Sequence, residues 1–312
     1  MIGKLAYYGL IIPISYLPLP VLYFLTDIFY LLLITVIPYR RSVVRRNIEF
    51  SFPEKSQRER RKIERGFYRY LTDLLAESTK NLTISKRYLI KRFVISNPEV
   101  MDKLYANSQN VLLVSGHYNN WEYFLTAQDL LFKHKAVGVG KPLTNPFWDK
   151  KINARRERFG MQVIHRKNFD VRFQNLISAK EPFATLLLVD QSTADSLKSF
   201  WTTFLNQPTA VIYGPEMLAV KHNFPVVFFH TEKIKRGKYK VYLQIVTTTP
   251  RATDWGEITT THVKMMEKVI KDNPERWLWS HKRWKREIPE KLDALKAKQR
   301  QKFNTLKDSF DV

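Results

Sequence analysis

Seven histidines are the side chains of this 312-residue chain whose ordinary pKa lies nearest neutrality. Cysteine is absent, which excludes thiolate catalysis, disulfide frameworks and Cys-based zinc sites and leaves the redox compartment unreadable. The search for a general base is therefore short. Three histidines have an acid five residues on: His117–Glu122, His165–Asp170 and His262–Glu267. Residues i and i+5 of one continuous helix point about 140° apart, so His262–Glu267, inside a helical pattern, makes a poor dyad. His165–Asp170 sits in a polar stretch and reads as solvated side chains. His117 differs because it follows the apolar run VLLVSG (111–116) and precedes Asn119-Asn120-Trp121-Glu122 at a helix start. A histidine there stands at the carboxyl end of a strand, where open α/β sheets build their sites. A carboxylate within reach would fix the imidazole tautomer, leaving the other nitrogen as a base. No Gly-x-Ser-x-Gly elbow and no phosphate-binding glycine loop competes. A base without its own nucleophile implies attack by a substrate hydroxyl. The bland alternative is a capping histidine beside a structural Glu122.

The elements that position His117 follow from hydropathy. Strands are expected at 111–116, 136–140, 183–190, 224–234 and 239–246, with helical patterns at 120–133, 145–159, 170–180, 209–222 and 257–272. Near-continuous apolar runs alternating with helices predict an α/β fold with a mixed, mostly parallel sheet flanked by helices. The runs 224–234 and 239–246, split by Lys235-Arg236-Gly237-Lys238, predict a hairpin. No repeat or interdomain linker is visible. The chain divides into an anchor (1–39), a catalytic domain (40–288) and a basic tail (289–312), the last a surface helix or a partly disordered segment.

Residues 5–39 hold one charged side chain, Asp27, and the run 21–38 is dense in Leu, Ile, Phe and Tyr. A bilayer core needs about 20 mainly apolar residues, so this stretch predicts an N-terminal membrane-anchoring helix, spanning or re-entrant from near residue 20. A signal peptide fits less well, since Lys4 is its whole basic region and no cleavage pattern follows. Arg40, Arg41, Arg45 and Arg46 come next and predict a cytoplasmic body. The whole chain carries 52 basic against 29 acidic residues, a formal charge of +23, which predicts a polyanionic partner. With 44% hydrophobic and 26% charged residues, disorder and collagen-like structure are excluded.

The segment SGHYNNWE (115–122) resembles the His-x4-Glu motif of the bacterial lipid A late acyltransferases, commonly His-aromatic-Gly-Asn-Trp-Glu. Further pieces follow in the family's order. RRSVVRRNIEFSFPE (40–54) resembles the region after the anchor, and GKPLTNPFWDKKINARRERFG (140–160) the segment ending in an Arg-rich helix and Gly. LLLVDQS (187–192) resembles the strand ending in Asp-Gln, and PERWLWSHKRWK (274–285) the closing Trp-x-His-Arg-Arg-Trp block. Two departures stand out: Asn119 replaces the usual Gly, and Ser192 follows Asp-Gln where a further Asp is common.

The resemblance implies a glycerolipid acyltransferase-like fold. It also implies transfer of a fatty acyl chain from acyl carrier protein to a hydroxyl of a lipid A precursor's 3-hydroxyacyl chain. His117 would be the general base and Glu122 its orienting partner. Arg156, Asp190, Asn120 and Trp121 would bind the oxyanion or substrate, since a tetrahedral oxyanion and a phosphorylated sugar both need positive or N–H donors. Arg40, Arg41, Arg45, Trp279, Trp284 and Lys285 would meet lipid headgroups, with Trp277 kept for the core. No cofactor or metal is needed, because the donor thioester drives transfer. An acidic carrier, lipid phosphates and the anionic inner-membrane leaflet together account for the positive charge. A nucleic-acid-binding protein has no use for 35 nearly uncharged N-terminal residues. Glycerolipid acyltransferases show Asn-His-x4-Asp, unlike Gly116-His117 here. A relative acting on an amino-acid lipid or glycolipid is the closer alternative, and a non-catalytic basic membrane protein the more distant one.

Overall fold

Five of the apolar runs form strands where hydropathy places them, and two short segments join them. The computed structural model describes residues 2–310, so Met1, Asp311 and Val312, at the outer ends of the anchor and tail, lie outside the described residues. In chain order the strands are β1 (Phe93–Ile95), β2 (Val111–Ser115), β3 (Lys135–Gly140), β4 (Gln162–His165), β5 (Phe183–Leu188), β6 (Phe200–Phe204), β7 (Gln207–Val211), β8 (Val226–Lys235) and β9 (Lys238–Thr247). Seven of them make one sheet in the order β1-β9-β8-β2-β5-β3-β4. All its pairings are parallel except β8–β9, the expected hairpin. Val111 to Val114 are completely buried at its centre, as strands covered on both faces must be.

Sequence hydropathy misses β1 and β4, which are only three and four residues long. It also reads 209–222 as one helix. Instead Gln207–Val211 pairs antiparallel with β6, and the helix is Gly214–His222. The cause is the turn: Leu205 and Asn206 have φ of 49° and 62°, the left-handed pair that a tight hairpin requires.

The N-terminal segment departs from a spanning anchor. Its helix runs Leu19–Thr35, 17 residues, and among the described residues no helix is long and apolar enough to cross a membrane. One face, with Leu19, Leu22, Tyr23 and Leu33, is buried in the body. Helix Gln57–Lys80, started by a Ser56–Glu59 capping box, is its main neighbour. Asp27, the lone charge, pairs with Arg236 and Arg69. The opposite face presents Val21, Phe24, Leu25, Ile28, Leu31 and Leu32 to the outside, Phe24 at 64% exposure.

Several expected headgroup contacts are engaged within the protein. Arg41 donates to the carbonyls of Leu33 (3.1 Å) and Ile34 (2.7 Å), closing the helix end, where a cation suits the dipole. Arg40 donates to Ser280 O at 2.9 Å, and Arg45 grips both oxygens of Glu64, though both arginines stay exposed. Trp279 is fully buried, like Trp277. Both belong to a tryptophan cluster whose third ring, Trp284, is half-buried and donates to Thr209 Oγ1 at 2.8 Å. Lys285 and Lys282 remain exposed, whereas Arg283 between them is 3% exposed. The tail forms helix Leu292–Asp308, whose Phe303 packs with Phe200, Tyr213 and Val220.

Candidate active site

Parallel strands in register deliver two functional groups to one place. Ser115 of β2 lies opposite Leu188 of β5, and the Val189 N–H still donates to Ser115 O at 2.9 Å beyond the last pair. Two residues further along each chain stand His117 and Asp190. His117 Nδ1 is 2.7 Å from Asp190 Oδ1, and the His117 backbone N–H donates to Asp190 Oδ2 at 2.8 Å. The Trp277 indole N–H reaches the same oxygen at 2.7 Å. Gly116 permits this approach, since a Cβ there would sit 2.5 Å from Met266 Cε and 2.9 Å from Asp190 Cγ.

The carboxylate hydrogen-bonded to His117 is therefore Asp190, not Glu122. Burial opposes ionisation of Asp190, but the charge of His117 and the hydrogen bonds from His117 and Trp277 outweigh it and hold the carboxyl at about 2. An ionised carboxylate only accepts, so Nδ1 is the nitrogen that carries the proton of the neutral ring, and the lone pair of that tautomer lies on Nε2. The His117 side chain is 17% exposed. Trp121 lies edge-on to its ring, centroids 4.9 Å apart, and so helps fix the imidazole. Nearby His281 is pushed down to about 4 by burial, which leaves it uncharged at neutral pH.

Glu122 is turned toward two arginines. Arg156 spans both its oxygens, at 2.5 Å and 3.2 Å, and Arg155 bonds Oε2 as well. Burial would raise the Glu122 pKa, but Arg155 and Arg156 outweigh it and hold the carboxyl at about 2. Two guanidiniums face the one carboxylate of Glu122, and the charge of Asp149 also acts on Arg156. Arg156, which the sequence offers for substrate binding, is paired with Glu122, and Arg155 joins it there, as the run Arg155-Arg156 signals.

Asn120, expected at the substrate, has its side chain engaged inside the protein. It is completely buried, its Oδ1 accepts the Tyr123 N–H at 2.8 Å to cap helix Trp121–Leu131, and its Nδ2 donates to Glu77. Asn119 has φ 49°, a left-handed conformation that glycine and asparagine tolerate best. That accounts for the exchange of Gly for Asn. Its Nδ2 donates to Thr231 O at 2.6 Å, and its carbonyl accepts the Tyr70 hydroxyl at 2.8 Å. Among the described residues no cluster of three or more His, Asp or Glu could hold a metal ion.

The chain is similar to known proteins over most of its length. The family profile described as bacterial lipid A biosynthesis acyltransferase matches residues 2–286. The lipid A biosynthesis lauroyltransferase of Escherichia coli (strain K12) is 26% identical over 270 residues, covering 86% of this chain and 87% of the relative. The palmitoleoyltransferase of the same strain is 23% identical over 272 residues, 86% of each chain. A lipid A biosynthesis acyltransferase of Shigella flexneri matches to the same extent.

Proposed function

This chain belongs to the bacterial lipid A biosynthesis acyltransferase family, and we propose that it moves a fatty acyl chain from acyl carrier protein to a hydroxyl of a lipid A precursor. The observation that carries the reading is the His117–Asp190 pair, an imidazole tied at Nδ1 with Nε2 left to accept a proton. In the forward step the acceptor oxygen attacks the thioester carbonyl carbon while its proton passes to Nε2. Asp190 stabilises the imidazolium so formed. The carbonyl electrons move onto oxygen, and collapse of that oxyanion breaks the C–S bond. The departing thiolate takes the proton back from Nε2. The guanidiniums of Arg155 and Arg156 supply the electrostatic stabilisation that an oxyanion or a substrate phosphate needs.

The reaction takes place at the cytoplasmic face of the bacterial inner membrane. The exposed apolar side of helix Leu19–Thr35 supports this, because an interfacial helix buries such a face among acyl chains. The exposure of Arg40, Arg45 and Lys285 supports a role for them in meeting anionic headgroups.

The test uses the full chain in detergent micelles with saturating lipid acceptor, comparing acyl carrier protein with acyl coenzyme A as donor across a salt series. Steering by exposed charge fades as the Debye length shortens below about 8 Å. Transfer from the acidic carrier should be the more efficient, with kcat/KM falling as salt rises and kcat holding. Equal efficiency with both donors and a flat salt response would contradict the carrier-protein donor.

A further inference from the structure

A second buried carboxylate stands behind the active-site loop. Glu77, from helix Gln57–Lys80, has no exposed surface. Its Oε1 accepts the Tyr23 hydroxyl at 2.7 Å. Its Oε2 accepts the Tyr239 hydroxyl at 2.7 Å and the Asn120 amide N–H. These three donors come from the N-terminal helix, from strand β9 and from the loop that follows His117. The Asn120 amide cannot flip without losing its contact with the Tyr123 N–H, so its Nδ2 must face an acceptor. Carrying no proton donor of its own when ionised, a carboxylate at position 77 satisfies all three groups at once.

We infer that Glu77 is a positioning residue for the transfer reaction: it sets Asn120, and through it the loop that holds His117, against the N-terminal helix. The inference rests on the acyltransferase reading above for its kinetic consequence and not for its geometry. His117 lies three residues before Asn120, and the intervening Asn119 is strapped separately to Thr231 and Tyr70. Losing the Asn120 strap therefore lets the loop shift without unfolding the sheet beneath it. A misplacement of about 1 Å is worth about 10²-fold in rate. Tyr23 sits on the buried face of the helix whose other face is apolar and exposed, so the membrane-facing element contributes directly to the scaffold of the catalytic loop.

Asn120→Ser is the first test, because serine retains the helix cap while being too short to reach Glu77. Glu77→Met removes the acceptor altogether, and Glu77→Gln is the conservative variant. Glutamine keeps an oxygen for Asn120 and Tyr239, and its NH2 can donate to the Tyr23 hydroxyl. Glu216→Met serves as the control. Glu216 is an equally buried carboxylate that accepts the Gly256 N–H at 2.6 Å and the Thr259 N–H at 2.8 Å and makes no hydrogen bond to the catalytic loop. For each full-length variant, kcat per folded molecule and KM are measured well below its melting temperature, and the ring 15N signals of His117 are followed by NMR.

Asn120→Ser and Glu77→Met should lose about 10²-fold in kcat with little change in KM, and their His117 ring signals should move. Glu77→Gln and Glu216→Met should keep both. Should Glu77→Met fail to fold, Asn120→Ser decides alone. Wild-type kcat and unmoved His117 signals in Asn120→Ser would overturn the inference. Absence of transfer by the wild-type chain would instead count against the functional reading, and the NMR arm would still decide the role of Glu77.

Discussion

Asp190 and Glu122 are two buried carboxylates beside the same histidine, both held at about 2, and they do different work. Asp190 faces an imidazole, a side chain that can accept and donate a proton. Glu122 faces two guanidiniums, which never release theirs. The first pair is suited to moving a proton and the second to holding a fixed charge. A depressed carboxylate thus marks a strong partner, and the partner's chemistry decides whether catalysis follows.

The sharpest break between the two pairs is removal of the mobile proton. His117→Ala should lower transfer by about 10²–10⁴-fold, the usual value of a general base, with thermal unfolding close to wild type. Substantial activity in the folded variant would show that the base lies elsewhere.

Removing the fixed charge should act on stability instead. Glu122→Gln leaves Arg155 and Arg156 without their counter-ion, and breaking a buried ion pair from one side costs about 3–5 kcal/mol. Urea unfolding should read that loss, and an unchanged midpoint would mean that solvent already screens the cluster.

The same variant sharpens the comparison through pH. A folded-state pKa below the ordinary one gives stability that is complete above the ordinary value and disappears as pH falls through the depressed one. For Glu122 the window runs from the usual 4.5 down to about 2. In acid titrations followed by circular dichroism, wild type should lose stability across that window more steeply than Glu122→Gln. Parallel curves would show that Glu122 is not the group titrating.

The smallest effect belongs to an ion pair outside the site. Arg45 on Glu64 has a side chain 59% exposed, and exposed pairs are worth roughly 0–1 kcal/mol. Arg45→Ala should therefore leave the unfolding midpoint nearly unmoved while weakening binding to vesicles of anionic lipid. Unchanged vesicle binding would remove Arg45 from the headgroup-facing surface.

The legible part of this molecule is the part with unbroken hydropathy. β2, β5 and the β8–β9 hairpin stand out as apolar runs, and His117 could be placed at a strand end because VLLVSG stops there. The pairing of His117 with Asp190 was not legible, since it spans 73 residues and exists only because β2 and β5 are neighbours in register. Glu122, five residues away, was the nearer candidate in sequence and the wrong partner in space. Trp279 lies in a segment rich in Lys and Arg, which reads as a wet surface, yet its ring fills the core. The 21–38 run looked long enough to span because composition cannot show that one face is occupied by helix Gln57–Lys80.

The central claim is that Asp190, by holding His117 Nδ1, makes Nε2 the base for acyl transfer. Asp190→Asn tests it most directly, because the amide preserves shape while removing the charge and the firm hold on the tautomer. Full-length wild type and Asp190→Asn are incubated in micelles with acyl carrier protein thioester and lipid A precursor, and the lipid product is followed by mass spectrometry. Wild type should add one acyl chain per acceptor, and folded Asp190→Asn should be slower by up to about 10⁴-fold, as when a triad acid is replaced by its amide. Near-wild-type transfer by Asp190→Asn, with Glu122→Gln inactive though folded, would contradict the account and return the orienting role to Glu122.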